Sequence, residues 1–187
     1  MKDKSIRIVI FDWLEENFGK MRIFEESPIG KSRCDFYVVT DKLTGFEIKS
    51  DADSYERLSK QVKNYDLYFD QNYIVVGEQH KKSVVKKVPD HWGILCVSDE
   101  EEGFVVKVIR RAIANPKVKR EKQMTKLWHN ELTSIAKKLD TPLYMGQSKA
   151  NRIKGIMKHS DDAALLSAIC EELFERDYTN YQGDEDD

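Results

Sequence analysis

The sequence contains no apolar run that approaches the roughly 20 residues a membrane-spanning helix requires. Its beginning leads into an amphipathic stretch with several acids, which is unlike a signal peptide. The three cysteines, Cys34, Cys96 and Cys170, are far apart and form no C-x-x-C pair, so neither a disulfide framework nor a structural zinc site is expected. We therefore expect a cytoplasmic protein with reduced thiols that makes no contact with a membrane.

Several catalytic signatures are also missing. The four histidines show no H-x-x-x-H spacing, and the chain has neither a G-x-S-x-G motif nor a Walker-type glycine loop. These absences give no support to a zinc hydrolase of that type, to a serine hydrolase or to a P-loop enzyme. Any catalytic site in this chain must therefore use another arrangement of polar residues.

The composition predicts one main core. Of the 187 residues 40% are hydrophobic and 34% are charged, which suits a single compact α/β domain with an appendage. The net charge is only -2, but the charges are unevenly distributed. Residues 104–126 carry eight basic side chains and one acid, whereas residues 171–187 carry eight acids and one arginine. A locally basic surface can attract phosphates despite the acidic total, although a solvated face is an equal alternative.

The first part of the chain alternates helical and extended patterns. Apolar residues at three- and four-residue steps predict a helix over 6–18, with Ser5 as its N-cap and Gly19 as its stop. A capping box of Asp53 and Glu56 predicts a second helix that stops near Asp70. Short β-branched and aromatic runs predict strands, the first three as a meander. The strands are expected at 21–24, 34–40, 43–50, 73–77, 93–97 and 104–109, with a helical segment at 83–88.

The last third of the chain is predicted to be helical. Helical spacing of apolar residues runs over 122–139, 149–158 and 161–176, the last capped by Ser160 or Asp161. We expect a domain at 1–112, a helical extension at 113–177 and an acidic tail at 178–187. The extension is expected to pack as a bundle, with a module resembling a helix-turn-helix as the alternative.

Three polar residues stand out in the predicted meander. Glu47 and Lys49 are two apart, so in a strand their side chains leave the same face. If residues 40–42 form the turn, Val39 pairs with Leu43 and Asp35 falls opposite Glu47. A turn at 41–45 would instead separate Asp35 and Glu47 by about 13 Å. We favour the first register, because the second leaves Leu43 exposed.

Two neighbouring carboxylates repel each other unless a cation lies between them, and hard oxygen ligands favour Mg²⁺ or Mn²⁺. Such an ion polarises a phosphodiester and lowers the pKa of a bound water, while Lys49 would orient or deprotonate that water. The alternative is an ordinary cross-strand ion pair with a solvated Asp35.

The predicted elements follow the order helix, three-strand meander with D and E-x-K, helix and strand. Over residues 6–97 this order resembles the restriction-endonuclease-like superfamily, the PD-(D/E)XK nucleases. On the following helix, Gln61 and Tyr65 resemble the Q-x-x-x-Y motif of its RecB-type exonucleases. The resemblance extends to small bacterial and phage members of that superfamily. It implies an α/β nuclease core in which Gln61 and Tyr65 contact a substrate strand or brace the site; the alternative is a capped amide and a core aromatic.

The sequence departs from that motif at two positions. Cys34 stands where the motif has proline, a change the superfamily commonly tolerates. The resemblance also implies a further metal-binding acid upstream. The candidates are Glu15, Glu16, Glu25 and Glu26. We favour Glu26, which precedes a glycine-containing turn.

These patterns predict a Mg²⁺- or Mn²⁺-dependent nuclease acting on DNA. Glu26, Asp35 and Glu47 are expected to bind the metal, and Asp35, Glu47, Lys49, Gln61 and Tyr65 to form the catalytic set. Phosphate contacts are expected from Lys31, Arg33, Arg110 and Arg111. The alternative is a non-catalytic nucleic-acid-binding protein that keeps the nuclease fold. Substrate structure, cleavage polarity and oligomeric state, a homodimer included, stay open.

Overall fold

The computed structural model describes residues 3–101, 103–143 and 145–180. It is a mixed α/β protein with a six-stranded sheet and helices. The chain divides into two compact units, Met1–Val118 and Lys119–Asp187. No helix in the described ranges is long and apolar enough to cross a membrane.

The first unit contains the sheet. Its elements are α1 (Asp3–Phe18), β1 (Arg22–Glu25), β2 (Pro28–Ile29), β3 (Ser32–Arg33), β4 (Phe36–Val39), β5 (Leu43–Lys49), α2 (Leu58–Tyr68), β6 (Gln71–Gly77), β7 (Gly93–Glu100) and β8 (Gly103–Arg110). The small β2/β3 hairpin lies outside the main sheet and was not predicted.

The main sheet has the strand order β1-β4-β5-β6-β7-β8. The first three strands form the predicted antiparallel meander, β5, β6 and β7 are parallel, and β8 returns antiparallel to β7. Helix α2 makes the crossover from β5 to β6, as parallel neighbours require a long connection. The sheet thus brings the ends of β5, β6 and β7 to one edge.

The predicted helix at 83–88 is wrong. The connection from β6 to β7 contains two short 3₁₀ turns, Glu78–His80 and Val84–Lys86. The hydroxyl of Ser83 donates to the carbonyl of His80 at 3.1 Å and makes no cap hydrogen bond to the following turn. Without a cap, so short a segment does not extend into an α-helix.

The register between β4 and β5 is the predicted one. Val39 pairs with Leu43 and Phe36 pairs with Phe46. Leu43 is fully buried, which is the reason this register was favoured over the longer turn. The pairing therefore carries the residue before Phe36 towards Glu47.

Helix α1 covers one face of the sheet. Its residues Ile6, Ile10 and Leu14 are fully buried in one cluster with Phe36 and Phe46, whose rings stack with centroids 4.7 Å apart. The helix ends as expected before Gly19, which has a φ of +64°, a conformation that favours glycine. The predicted N-cap was wrong, because α1 already begins at Asp3 and Ser5 lies inside it.

The predicted capping box of α2 is also wrong. The helix begins at Leu58, and its N-cap residue, Arg57, makes no side-chain cap bond. The Asp53 carboxylate instead accepts hydrogen bonds from the backbone N–H and the hydroxyl of Ser50, at 2.8 and 2.5 Å. Asp53 thus closes the turn after β5 and leaves the N-terminus of α2 uncapped.

The second unit is helical. It contains α3 (Arg120–Met124), α4 (His129–Lys138), α5 (Lys149–Lys158) and α6 (Asp162–Phe174). The single helix predicted over 122–139 is wrong, because Glu131 accepts a hydrogen bond from the N–H of Trp128 at 2.7 Å and starts α4 there. Asp161 caps α6 as predicted. Of the predicted acidic tail, 178–180 form a 3₁₀ turn and 181–187 lie outside the described residues.

A buried carboxylate holds the end of α2 to the sheet. Asp66 is 2% exposed and accepts hydrogen bonds from Trp92 Nε1 at 2.8 Å and Lys117 Nζ at 3.1 Å, and its Oδ1 lies 2.9 Å from His91 Nε2.

Removing the Asp66 carboxylate leaves the buried Trp92 N–H without an acceptor. Asp66→Ala should therefore lower the free energy of unfolding by about 3 kcal/mol in urea denaturation. Asp90→Ala, at a fully exposed side chain, is the control and should change it by less than about 0.5 kcal/mol. A loss for Asp66→Ala no larger than the control's would contradict this role.

Candidate functional site

Asp35, Glu47 and Lys49 converge where β4 starts and β5 ends. The Glu47 side chain is 1% exposed, and its Oε1 lies 2.7 Å from Lys49 Nζ. Asp35 immediately precedes β4, and its Oδ2 accepts a hydrogen bond from the backbone N–H of Ile48 at 2.6 Å. The two carboxylates and the ammonium therefore meet on neighbouring strands, as the register predicted.

The surroundings of the pair raise the pKa of both carboxyls. Burial, helped by the neighbouring charge of Glu47, raises the pKa of Asp35 from 3.8 to about 7. The Ile48 N–H, Lys49 and Arg7 oppose this shift without cancelling it. Burial also raises the pKa of Glu47, although the Lys49 ammonium works against it. A cation bound beside the two groups would favour the ionised form of both.

Two residues of α2 brace this arrangement. Gln61 Nε2 donates to Glu47 Oε1 at 2.5 Å. The Tyr65 hydroxyl donates to the Phe46 carbonyl at 2.9 Å and accepts the N–H of Asp35 at 3.2 Å. Because Tyr65 is fully buried, the structure favours the bracing role over contact with a substrate strand.

Two buried oxygens at the site have no donor. Glu47 Oε2 and Gln61 Oε1 are shielded from solvent and make no hydrogen bond to any described residue. An unsatisfied buried polar atom costs about 1–3 kcal/mol, and more when it is charged. Both atoms are acceptors, so a bound cation or a donor such as water could satisfy them.

The favoured upstream acid is engaged elsewhere. Glu26 has a φ of +50° and forms ion pairs with Arg7 Nη2 at 3.0 Å and Arg33 Nε at 2.8 Å, and its side chain is 46% exposed. Arg7 also pairs with Glu25 at 2.8 Å. Within 3–101, 103–143 and 145–180 no group of three or more His, Cys, Asp or Glu could hold a metal ion. The close carboxylate pair is therefore Asp35 and Glu47 without Glu26.

The other two upstream candidates lie on α1. Glu15 and Glu16 are exposed, and neither lines the cavity at the carboxylate pair. Glu16 lines a separate depression between α1 and β8. The amphipathic pattern of α1 places both acids on its solvent side, away from the buried cluster.

A cavity of about 590 Å³ opens at the carboxylate pair. It is lined by residues of α1, the β2/β3 hairpin, β5 and the start of α2. These are Arg7, Glu26, Lys31, Ser32, Arg33, Asp35, Glu47, Ile48, Lys49, Asp53, Arg57, Lys60 and Gln61. The sequence reasoning missed Arg7, Arg57 and Lys60. Arg57 lies three residues before Lys60 and four before Gln61, which was a usable signal, since residues three and four apart share a helix face.

The predicted phosphate contacts fall into two groups. Lys31 and Arg33 line the cavity. Arg110 does not, because it donates to the carbonyls of Trp92 at 2.7 Å and Pro89 at 2.8 Å and so holds a loop in place. Arg111 is exposed and lies outside the cavity lining.

A family model described as Bacteriophage P4 protein cII matches residues 1–182. The chain belongs to this family. It is also similar to "Protein cII" of Enterobacteria phage P4, at 25% identity over 115 residues, which is 59% of this chain and 44% of that relative. The match thus spans less than half of the relative's length. Neither description names an activity or a nuclease fold, so the chemistry of the site rests on its geometry.

The Tyr65 hydroxyl provides a test of the brace. Tyr65→Phe removes the bonds to Phe46 and Asp35 and should lower the free energy of unfolding by about 1–2 kcal/mol in urea denaturation. Tyr73→Phe is the matched control, since that hydroxyl bonds to no described residue while its ring stacks on Phe46. If the two substitutions lower the free energy of unfolding by the same amount, the Tyr65 hydroxyl does not stabilise the site.

The raised pKa of Asp35 predicts a pH-dependent stability. Below about pH 7 the folded chain keeps a proton that the unfolded chain loses near 3.8, so stability falls as the pH rises between these values. Asp35→Asn removes the ionisable group and therefore this loss of stability at higher pH. In EDTA, its free energy of unfolding relative to wild type should increase by on the order of 1–3 kcal/mol from about pH 4 to pH 7 and then level off. A difference that does not vary with pH would rule out the shift.

Proposed function

We propose that this chain is a metal-dependent nuclease that hydrolyses phosphodiester bonds, with DNA as its substrate, and that its sheet domain is a restriction-endonuclease-like core. One observation carries the proposal. Asp35 and Glu47 line one cavity that also carries six cationic side chains. Both carboxyls have raised pKa values, Glu47 Oε2 has no donor, and Lys49 lies alongside.

The residues present fit a divalent cation. Asp35 and Glu47 supply hard oxygen ligands, and Gln61 Oε1 adds a buried oxygen without a donor. Mg²⁺ is commonly held by one or two carboxylates and keeps several waters, so a third protein carboxylate is not required. Mn²⁺ suits the same oxygen ligands. Glu26 is therefore not needed for the proposed site.

The bound cation would polarise a phosphodiester and lower the pKa of a water molecule. The chain's own groups supply the rest. Lys49 Nζ, 2.7 Å from Glu47 Oε1 and largely buried, is positioned to donate a hydrogen bond to an attacking water or to a phosphate oxygen. The Ile48 N–H fixes the Asp35 carboxylate, and Gln61 fixes that of Glu47. These bonds hold both carboxylates in one orientation before substrate arrives.

Phosphate is the group that the cavity suits. Six of its lining side chains are cationic, from α1, the β2/β3 hairpin, β5 and α2. A polyanionic backbone gains from such a surface even when the whole protein is slightly acidic. This supports a nucleic acid over a small neutral substrate.

The proposal predicts cleavage that depends on the carboxylate pair and on Lys49. With Mg²⁺ or Mn²⁺, the purified chain should cut single-stranded, duplex or branched DNA, and Asp35→Asn, Glu47→Gln and Lys49→Ala should each reduce the rate by at least about 100-fold. Gel analysis of end-labelled DNA measures the rate, and circular dichroism checks that each variant is folded.

Calorimetry with Mn²⁺ separates the roles of these residues. Asp35→Asn and Glu47→Gln should abolish cation binding, whereas Lys49→Ala should keep binding and lose cleavage. Lys63 is an exposed lysine outside the cavity lining. Lys63→Ala is therefore the matched control and should change neither cation binding nor cleavage. If no cation binds and DNA still shifts in a gel, the chain is instead a non-catalytic nucleic-acid-binding protein that keeps this fold.

A further inference from the structure

We propose that Lys31, Arg57 and Lys60 form a clamp that binds phosphates from two elements of the cavity wall, so that nucleic acid is held through its backbone without base stacking. This inference deepens the proposed function and rests on it. It assigns substrate-binding roles to two residues of α2 and names the part of the substrate that they recognise.

The cavity has cations of two kinds. Arg7 is paired with Glu25 and Glu26, Arg33 with Glu26, and Lys49 with Glu47. The remaining three, Lys31, Arg57 and Lys60, are exposed, and their side chains form no ion pair with any residue in the described ranges. They are therefore the cations of this cavity that a polyanion can engage without first breaking a contact.

The three cations lie on two different elements that line the cavity. Lys31 lies in the turn of the β2/β3 hairpin, while Arg57 and Lys60 lie at the start of α2. The two elements are linked by a hydrogen bond of 2.6 Å from Asn64 Nδ2 to Ser32 Oγ. This bond ties the hairpin to α2, so the cations keep a defined separation, as a clamp needs.

The face of α2 that carries these cations also serves the carboxylate pair. Arg57, Lys60 and Gln61 are spaced by three and four residues and therefore lie on one side of the helix. Gln61 holds Glu47 from this side. The same face thus fixes a proposed metal ligand and presents two cations, so a phosphate held by them lies close to the proposed reaction centre.

The N-terminus of α2 adds positive potential at the same place. Its N-cap, Arg57, makes no side-chain cap bond, and the described first turn contains no acid. The partial positive charge at the start of this 11-residue helix is therefore not offset by a side-chain cap or by an acid in its first turn. Helix α6 differs, because the carboxylate of Asp161 caps it.

The lining contains no aromatic side chain among the described residues. Proteins that hold single strands by their bases use aromatic platforms for stacking, whereas contacts to phosphate fix position and carry no sequence information. The cavity therefore suits recognition of the backbone, independent of sequence.

The clamp is tested by the salt dependence of DNA binding in EDTA, where cleavage is prevented. Fluorescence anisotropy of the full chain is measured with oligonucleotides of equal length and two unrelated sequences. The triple change K31A/R57A/K60A should make the slope of log K against log salt shallower by about 2 for a single strand and by about 2.7 for a duplex. The loss of affinity should be equal for both sequences.

Lys63→Ala, on the same helix but outside the lining, is the control and should keep the wild-type slope. Mn²⁺ calorimetry on the triple variant should give wild-type binding, because the carboxylate pair is untouched. A wild-type slope and affinity in the triple variant would overturn the clamp, as would a loss confined to one sequence. Failure of the nuclease proposal would instead appear as absent Mn²⁺ binding and cleavage in wild type, whatever the slopes are.

Discussion

The candidate site depends on the antiparallel pairing of β4 with β5. Pairing Val39 with Leu43 brings Asp35 beside the Glu47 and Lys49 face of β5. A shift by one residue would send Glu47 and Lys49 to the opposite face of the sheet from their present neighbours. Leu43 and Phe46 are fully buried, so the hydrophobic core penalises any such shift. Packing energy is thus what holds two carboxylates close together against their repulsion.

Helix α2 turns this pairing into a rigid site. Tyr65 bonds to both strands, and Gln61 bonds to Glu47, so one helix fixes the relative positions of all the proposed ligands. Asp66, one residue further along, anchors the same helix to Trp92, just before β7, and to Lys117, after β8, through hydrogen bonds. A side chain held on two sides loses little entropy when a ligand arrives, which is the benefit of preorganisation.

Membership of the Bacteriophage P4 protein cII family covers both compact units, since the family model matches residues 1–182. The proposed chemistry lies wholly in the first unit. In the second unit the polar contacts serve its own helices: Arg176 pairs with the buried Glu131 at 2.7 Å, and Arg120 pairs with Asp162 at 3.0 Å. Of the basic residues in 104–126, Arg110, Lys117 and Arg120 are used in such structural contacts.

The sequence by itself determined the strand meander, the β4/β5 register and the helix that carries Gln61 and Tyr65. Each depends on local spacing of apolar residues or on a short turn, both of which can be read along the chain. Hydrophobic periodicity also located the helices of the second unit, but it did not reveal the break before α4, which depends on a side chain of Glu131 reaching back to Trp128.

Only the tertiary structure decided which charges are free. Glu26 looked available as a ligand, yet Arg7 from α1 and Arg33 from the hairpin both pair with it. Arg110 looked available for phosphate, yet it bonds to loop carbonyls. Arg57 and Lys60 were not predicted as site residues, yet both line the cavity. Ion pairs between residues distant in sequence depend on how elements pack, and local patterns contain no information about that packing.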